Sequence, residues 1–182
     1  MLTLYLSLLE TDAQRDKFEK IYTQYAGLMF HEAYAMSRDH YLAEDIVHET
    51  FLNLVRIIDD VRVENGKELT GFIRTVTRNK TVDYLRKRNR ECPVSEEVLW
   101  MEKDDGKNDP ETVLMDKQAL ERVKAQIANL NETYRAPLYL KMKGYKIEEI
   151  ARILELTPAN VKVRLHRARK MVLTSLEDKN EK

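Results

Sequence analysis

Asn79, Asp83, Arg86 and Arg90 follow one another at steps of four, three and four residues, which places them on one face of a helix. From Arg74 to Arg90 seven basic side chains accompany a single acid, Asp83, with Phe72 just ahead and Tyr84 among them. Cations neutralise phosphates and aromatic faces stack on exposed bases, so such a segment suits single-stranded or melted DNA. The alternative for the two rings is core packing, and Phe72 suits it well.

A second set lies near the C-terminus. In PANVKVRLHRARKMV the residues Val161, Leu165, Ala168 and Val172 step by four, three and four, an apolar stripe. The other faces carry Asn160, Lys162, Val163, Arg164, His166, Arg167, Arg169 and Lys170, and no acid falls between 158 and 170. A helix with one apolar stripe and a basic remainder fits a major groove. Lysines and arginines there would meet phosphates, and Asn160, Val163 and Arg167 would reach base edges. Ahead of it, Ile147, Ile150, Ala151 and Leu154 form the inner face of a shorter helix, and Glu155-Leu156-Thr157 makes a turn. Thr157 can cap the second helix and Pro158 suits its first turn. The whole of 147–172 reads as a helix-turn-helix, with Glu155 where glycine is common.

Catalytic and metal chemistry find little support. Glu44 and His48 stand four apart but lack a third ligand, and no phosphate loop or nucleophile elbow occurs. No cofactor and no metal is expected. Cys92 is the single cysteine, which excludes an internal disulfide and fits a reducing cytoplasm. MLTLYLSLLE has no basic segment and no small-residue cleavage site, so it reads poorly as an export signal.

The elements that must position these residues are helical. Phe18, Ile21, Tyr22, Tyr25, Leu28 and Met29 predict one amphipathic helix. Leu42, Ile46, Phe51, Leu54, Val55 and Ile58 predict another from about residue 42. A break at 59–68 with an Asn65-Gly66 turn precedes a third helix, from near Leu69 to about Arg90. Val113, Leu120, Val123, Ile127 and Leu130 predict a fourth, followed by a short helix around 134–143. Residues 91–111 hold Pro93, Gly106 and Pro110, lack a period and read as a linker. The expected fold is therefore all-α: two small helical domains, 1–90 and 112–182, joined by a flexible acidic linker at 91–111.

The 182 residues carry 31 basic and 31 acidic side chains, a formal net charge of zero. Resolved along the chain, the net charge is −6 over 1–60, +5 over 61–92, −5 over 93–134 and +6 over 135–182. The two basic blocks coincide with the two candidate DNA segments, so the zero total hides the asymmetry that bears on partners.

AEDIVHETFLNLV, then FIRTVTRNKTVDYLRKR, then EEIARILELTPANVKVRLHRARK occur in this order over about residues 15–175. Together they resemble the extracytoplasmic-function sigma factors of bacterial RNA polymerase, the minimal two-domain members of the sigma-70 family. The resemblance implies that a helix with Asp45, His48, Glu49, Thr50, Phe51 and Leu52 docks on core RNA polymerase, with His48 where the family often has glutamine. It implies that the helix carrying Arg74, Arg78, Asn79, Asp83, Arg86 and Arg88, with the preceding loop 61–70, opens and reads the −10 element. Here Arg78, Asn79, Asp83 and Arg86 match an R-N-x-x-x-D-x-x-R pattern. Thr157, Asn160, Lys162, Val163, Arg164 and Arg167 are implied as readers of the −35 element. Members of the family usually have proline near Asn131, before the last helices.

The same resemblance implies promoter DNA as a partner and no catalysis. It also implies an anti-sigma factor, which in the family is often membrane-bound, a free monomer and a cytoplasmic location. The acidic tether, with Glu96, Glu97, Glu102, Asp104 and Asp105, would thread a polymerase channel as an RNA mimic; a solvated linker is the other reading. The competing function is a stand-alone helix-turn-helix regulator with a dimerisation or sensor domain at 1–90.

Overall fold

The computed structural model describes residues 1–62, 66–90 and 117–177. The linker at 91–111, with Cys92 and its acidic run, and the Asn65 side of the 65–66 turn lie outside the described residues. Eight helices are described: Leu2–Ser7 (α1), Asp12–Ser37 (α2), His40–Arg56 (α3), Gly66–Arg90 (α4), Lys117–Asn129 (α5), Glu132–Met142 (α6), Ile147–Ile153 (α7) and Pro158–Glu177 (α8). No strand occurs among the described residues, as the periodicity predicts.

Local chemistry sets the helix ends. Thr11 and Gln14 form a reciprocal capping box that starts α2. Asp39 caps α3 by accepting from the Leu42 amide at 3.1 Å. Asn131 caps α6: its Oδ1 accepts from the amide and the hydroxyl of Thr133, each at 3.1 Å. Thr157 caps α8 as expected, accepting from the Asn160 amide at 3.2 Å.

The predicted apolar stripes are buried. Phe18, Ile21, Tyr25 and Met29 of α2 pack with Phe51 and Leu54 of α3 and Phe72, Ile73 and Val76 of α4. Val161, Leu165 and Ala168 of α8 pack with Ile150, Ala151 and Ile153 of α7 and Leu140 of α6. Phe72 is core, 4% exposed, and its ring stacks on Tyr145 at 6.0 Å between centroids.

That stack joins the two halves. The described parts of 1–90 and 112–182 share one continuous apolar core, with α4 lying against α6.

The first helix is absent from the sequence-based expectation. Tyr5 of α1, 2% exposed, enters an aromatic cluster with Phe18, Tyr22, His48 and Phe51, at centroid distances of 5.6, 6.0, 5.6 and 5.6 Å. Leu2, Tyr5, Leu6 and Leu9 have helical spacing, which is the signal that marks it.

Candidate polymerase and nucleic-acid interface

The α3 set divides by burial. Asp45 is exposed, and His48, Glu49 and Leu52 are half-buried. Thr50 and Phe51 are inside, at 0% and 1% exposure. The Thr50 hydroxyl returns to the Ile46 carbonyl at 2.7 Å. Those two side chains pack inward and brace the helix from inside in this structure. His48 Nδ1 lies 2.6 Å from the Tyr5 hydroxyl, so α1 orients the imidazole.

The α4 set is held by acids of the same half. Glu32 of α2 receives both Arg74, at 3.1 Å, and Arg78, at 2.6 Å. Arg88 pairs with Asp39 at 3.2 Å, and the Leu42 amide, followed by the Arg88 bond, holds the Asp39 carboxyl below the usual range. Asn79 is nearly buried and donates to Asp83 at 3.3 Å. Arg86 is exposed. Burial raises the Asp83 carboxyl above its ordinary value, against the pull of Arg164 and Arg86. Tyr84 is half-buried against the small cluster of Ala33, Ala43 and Ile46, so it is a packing residue in this structure.

The helix-turn-helix forms over 147–172. Its turn is a Schellman motif: the Leu156 amide reaches the Ala151 carbonyl at 2.9 Å, and the Glu155 amide reaches that of Arg152 at 3.3 Å. The residue after the helix must then be left-handed, and Glu155 sits at φ +54°. Gly144 performs the same service after α6 at φ +81°, without the steric penalty of a side chain. The side chain of Glu155 has a use that glycine lacks: it meets Lys80 of α4 at 2.5 Å and Arg56 of α3 at 3.3 Å.

Of the α8 set, Lys162 and Thr157 are exposed, while Asn160, Val163, Arg164 and Arg167 are half-buried. Arg164 does not point into open solvent. Its Nε donates to Asn160 at 2.9 Å, and its guanidinium lies in the field of Asp83 and Arg86. Its Nη1 is buried with no hydrogen-bond partner, and burial lowers its pKa. The field at Arg164 on α8 thus includes Asp83 and Arg86 of α4, residues expected to act far from it.

The seam has further polar links that the sequence did not single out. Asn53 of α3, 4% exposed, donates to the Ile153 carbonyl at 2.9 Å. Arg152 forks onto Asp60 at 2.9 and 2.8 Å, and Lys143 meets Glu68 at 2.8 Å. Arg62 lies over the Tyr145 ring at 4.2 Å. Among the described residues no three His, Cys, Asp or Glu gather as a metal site, and no helix is long and apolar enough to cross a membrane.

The family model for sigma-70 region 2 matches residues 21–91, and that for sigma-70 region 4 matches 120–172. The chain is 28% identical over 154 residues to the ECF RNA polymerase sigma factor SigM of Bacillus subtilis, covering 83% of this chain and 90% of that one. It is 26% identical over 158 residues to the RNA polymerase sigma factor CarQ of Myxococcus xanthus, covering 86% and 87%. It is 26% identical over 165 residues to the ECF RNA polymerase sigma factor SigE of Mycolicibacterium smegmatis, of which it spans 62%. Among solved structures, the sigma factor RpoE bound to the anti-sigma factor NepR from Bartonella quintana covers 88% of this chain at 22% identity and a TM-score of 0.38.

Proposed function

For a chain that belongs to the sigma-70 family, as an extracytoplasmic-function sigma factor directing RNA polymerase to promoters, we propose the following division of labour. The outer face of α3, with Asp45, His48, Glu49 and Leu52, docks on core polymerase, while Thr50 and Phe51 brace it from inside. On α4, Arg74, Arg78, Asn79, Asp83, Arg86 and Arg88 hold the opened −10 element. On α8, Lys162, Val163, Arg164 and Arg167 read the −35 element, with Asn160 at the helix start and Thr157 as its cap.

The observation that carries this reading is the order of the two matched regions, with a basic α4 ahead of a capped basic helix in a helix-turn-helix. A stand-alone regulator needs no region 2 over residues 21–91. Sigma factors are not enzymes, and this chain lends specificity to the polymerase's chemistry. Elements named −10 and −35 lie about 25 base pairs apart, or about 85 Å at ~3.4 Å per pair. Two modest readers on one chain raise each other's effective concentration. An anti-sigma protein, soluble or membrane-anchored, a cytoplasmic location and a monomeric free state complete the proposal. The last is supported by the mutual covering of the two halves' apolar faces.

The test is in vitro transcription with purified core enzyme on a pool of genomic promoters. The chain should start transcripts that core alone does not. Sequence-specific binding without core, and no initiation with it, would overturn the reading.

A further inference from the structure

We propose that Tyr5 of α1 is a positioning residue for polymerase docking. It holds the imidazole of His48 in one tautomer, so that the outer face of α3 offers core enzyme a hydrogen-bond donor at Nε2, matched to an uncharged acceptor such as a carbonyl oxygen. This rests on the sigma-factor reading and deepens it by naming the chemistry of the partner group.

The direction of the hydrogen bond follows from burial. Tyr5 is 2% exposed and seated among the rings of Phe18, Tyr22 and Phe51. Its hydroxyl lies 2.6 Å from His48 Nδ1, its one hydrogen-bond partner among the described residues. Burial pushes the hydroxyl above its ordinary pKa, and Tyr22 adds to the effect, so the oxygen keeps its proton. Were the hydroxyl to accept from an Nδ1–H, that proton would be enclosed without an acceptor, which is costly. The hydroxyl therefore donates, Nδ1 accepts, and the ring's own proton sits on Nε2.

With Nδ1 spent inward, the half-buried ring leaves its Nε2 edge for a partner. Residues three and four positions away share its side of the helix. They are Glu44 and Asp45, both exposed, on one side and the half-buried Leu52 on the other. A carboxylate approaching Nε2 would meet those two acids, whereas a carbonyl oxygen would not. The polymerase surface that fits this face thus combines an uncharged acceptor with nearby cations and an apolar contact for Leu52. Without the Tyr5 hydroxyl, Nδ1 is free to carry the proton. The outer edge then becomes an acceptor in part of the molecules, and that fraction is lost to binding.

Tyr5→Phe keeps the ring and removes only the hydroxyl. The experiment uses the full chain with nitrogen-labelled histidine, whose ring-nitrogen resonances report the tautomer, beside affinity for purified core enzyme. In the parent, His48 should carry its proton on Nε2. In Tyr5→Phe the proton should be shared between the two nitrogens, and core affinity should fall about threefold to tenfold, as expected for one lost hydrogen bond. His48→Gln has no Nδ1 to position. In that background, adding Tyr5→Phe should change core affinity no further.

A parent ring protonated on Nδ1 would overturn the proposal, and so would unchanged core affinity in Tyr5→Phe. An equal loss in the parent and His48→Gln backgrounds would also overturn it, because Tyr5 would then act through packing alone. The parent's tautomer is read without any variant, which keeps the test sound if Tyr5→Phe misfolds. Failure of the parent to bind core, with the tautomers as described, would overturn the sigma reading beneath it.

Discussion

Asp83 on α4 and Arg164 on α8 lie in one another's electrostatic field across the seam between the two halves, both partly buried, with Arg164 Nη1 left without an acceptor. Opposite charges attract strongly in such a place, yet the burial of both opposes the attraction.

Replacing α8 cations should separate DNA reading from polymerase docking. We expect Arg164→Ala and Arg167→Ala to weaken initiation at promoters that depend on a −35 element without weakening core binding. Transcription assays beside binding assays check this, and equal losses in both would refute the separation of roles.

Phe51 should behave as a core residue. Its ring meets Tyr5, Phe18 and Tyr22 at 5.6, 5.8 and 4.8 Å between centroids. Phe51→Ala should destabilise the fold by about 3–5 kcal/mol, a large share of the roughly 5–15 kcal/mol typical of whole domains. Thermal unfolding measures this. An unchanged melting temperature with lost core binding would place Phe51 at the contact instead.

Thr157→Ala should remove the cap of α8 and reduce stability by about 1 kcal/mol. Thr157→Ser should restore most of it. Denaturant titration with helical ellipticity as the readout distinguishes a cap from a DNA contact, because only the cap affects the free protein.

Glu155→Gly should have a salt-dependent sign. Glycine relieves a left-handed backbone conformation that costs about 1–2 kcal/mol, while losing the Lys80 and Arg56 partners. In high salt, where exposed pairs are screened, the variant should be the more stable protein. In low salt the difference should shrink. A difference that ignores salt would show that the ion pairs contribute nothing.

Two aspartates should give opposite pH dependences. The Asp39 carboxyl is held low by the Leu42 amide and Arg88. Its stabilisation is therefore present above the ordinary value near ~3.9 and lost as pH falls through the lowered one. The Asp83 carboxyl is raised by burial, so its unfavourable contribution is absent at low pH. That contribution grows as pH rises from about 3.9 through the raised value. Asp83→Asn should thus flatten a fall in stability with rising pH, and Asp39→Asn should flatten a rise. Thermal unfolding from acid to neutral pH checks both signs.

Much of this was legible in the residues. The stripes at Phe18–Met29 and Val161–Val172 specified which helix faces turn inward, because burial of apolar area does not depend on knowing the partner. Thr157 announced a cap and Glu155 an unusual turn residue, both being matters of local backbone chemistry. The ordered motifs carried the family, and the basic blocks at 61–92 and 135–182 are the segments from which DNA contact is proposed.

What the tertiary structure alone decided concerns relations between distant residues. That Thr50 and Phe51 lie inside while Asp45 faces out depends on which neighbours α2 and α1 supply. That Tyr5 reaches His48 across 43 positions, and Asn53 the Ile153 carbonyl across 100, has no trace in spacing. Helical periodicity records one face of one helix at a time. The choice of which face meets which, and so the closure of the C-terminal half over α3 and α4, is made by packing and charge between segments far apart in the chain.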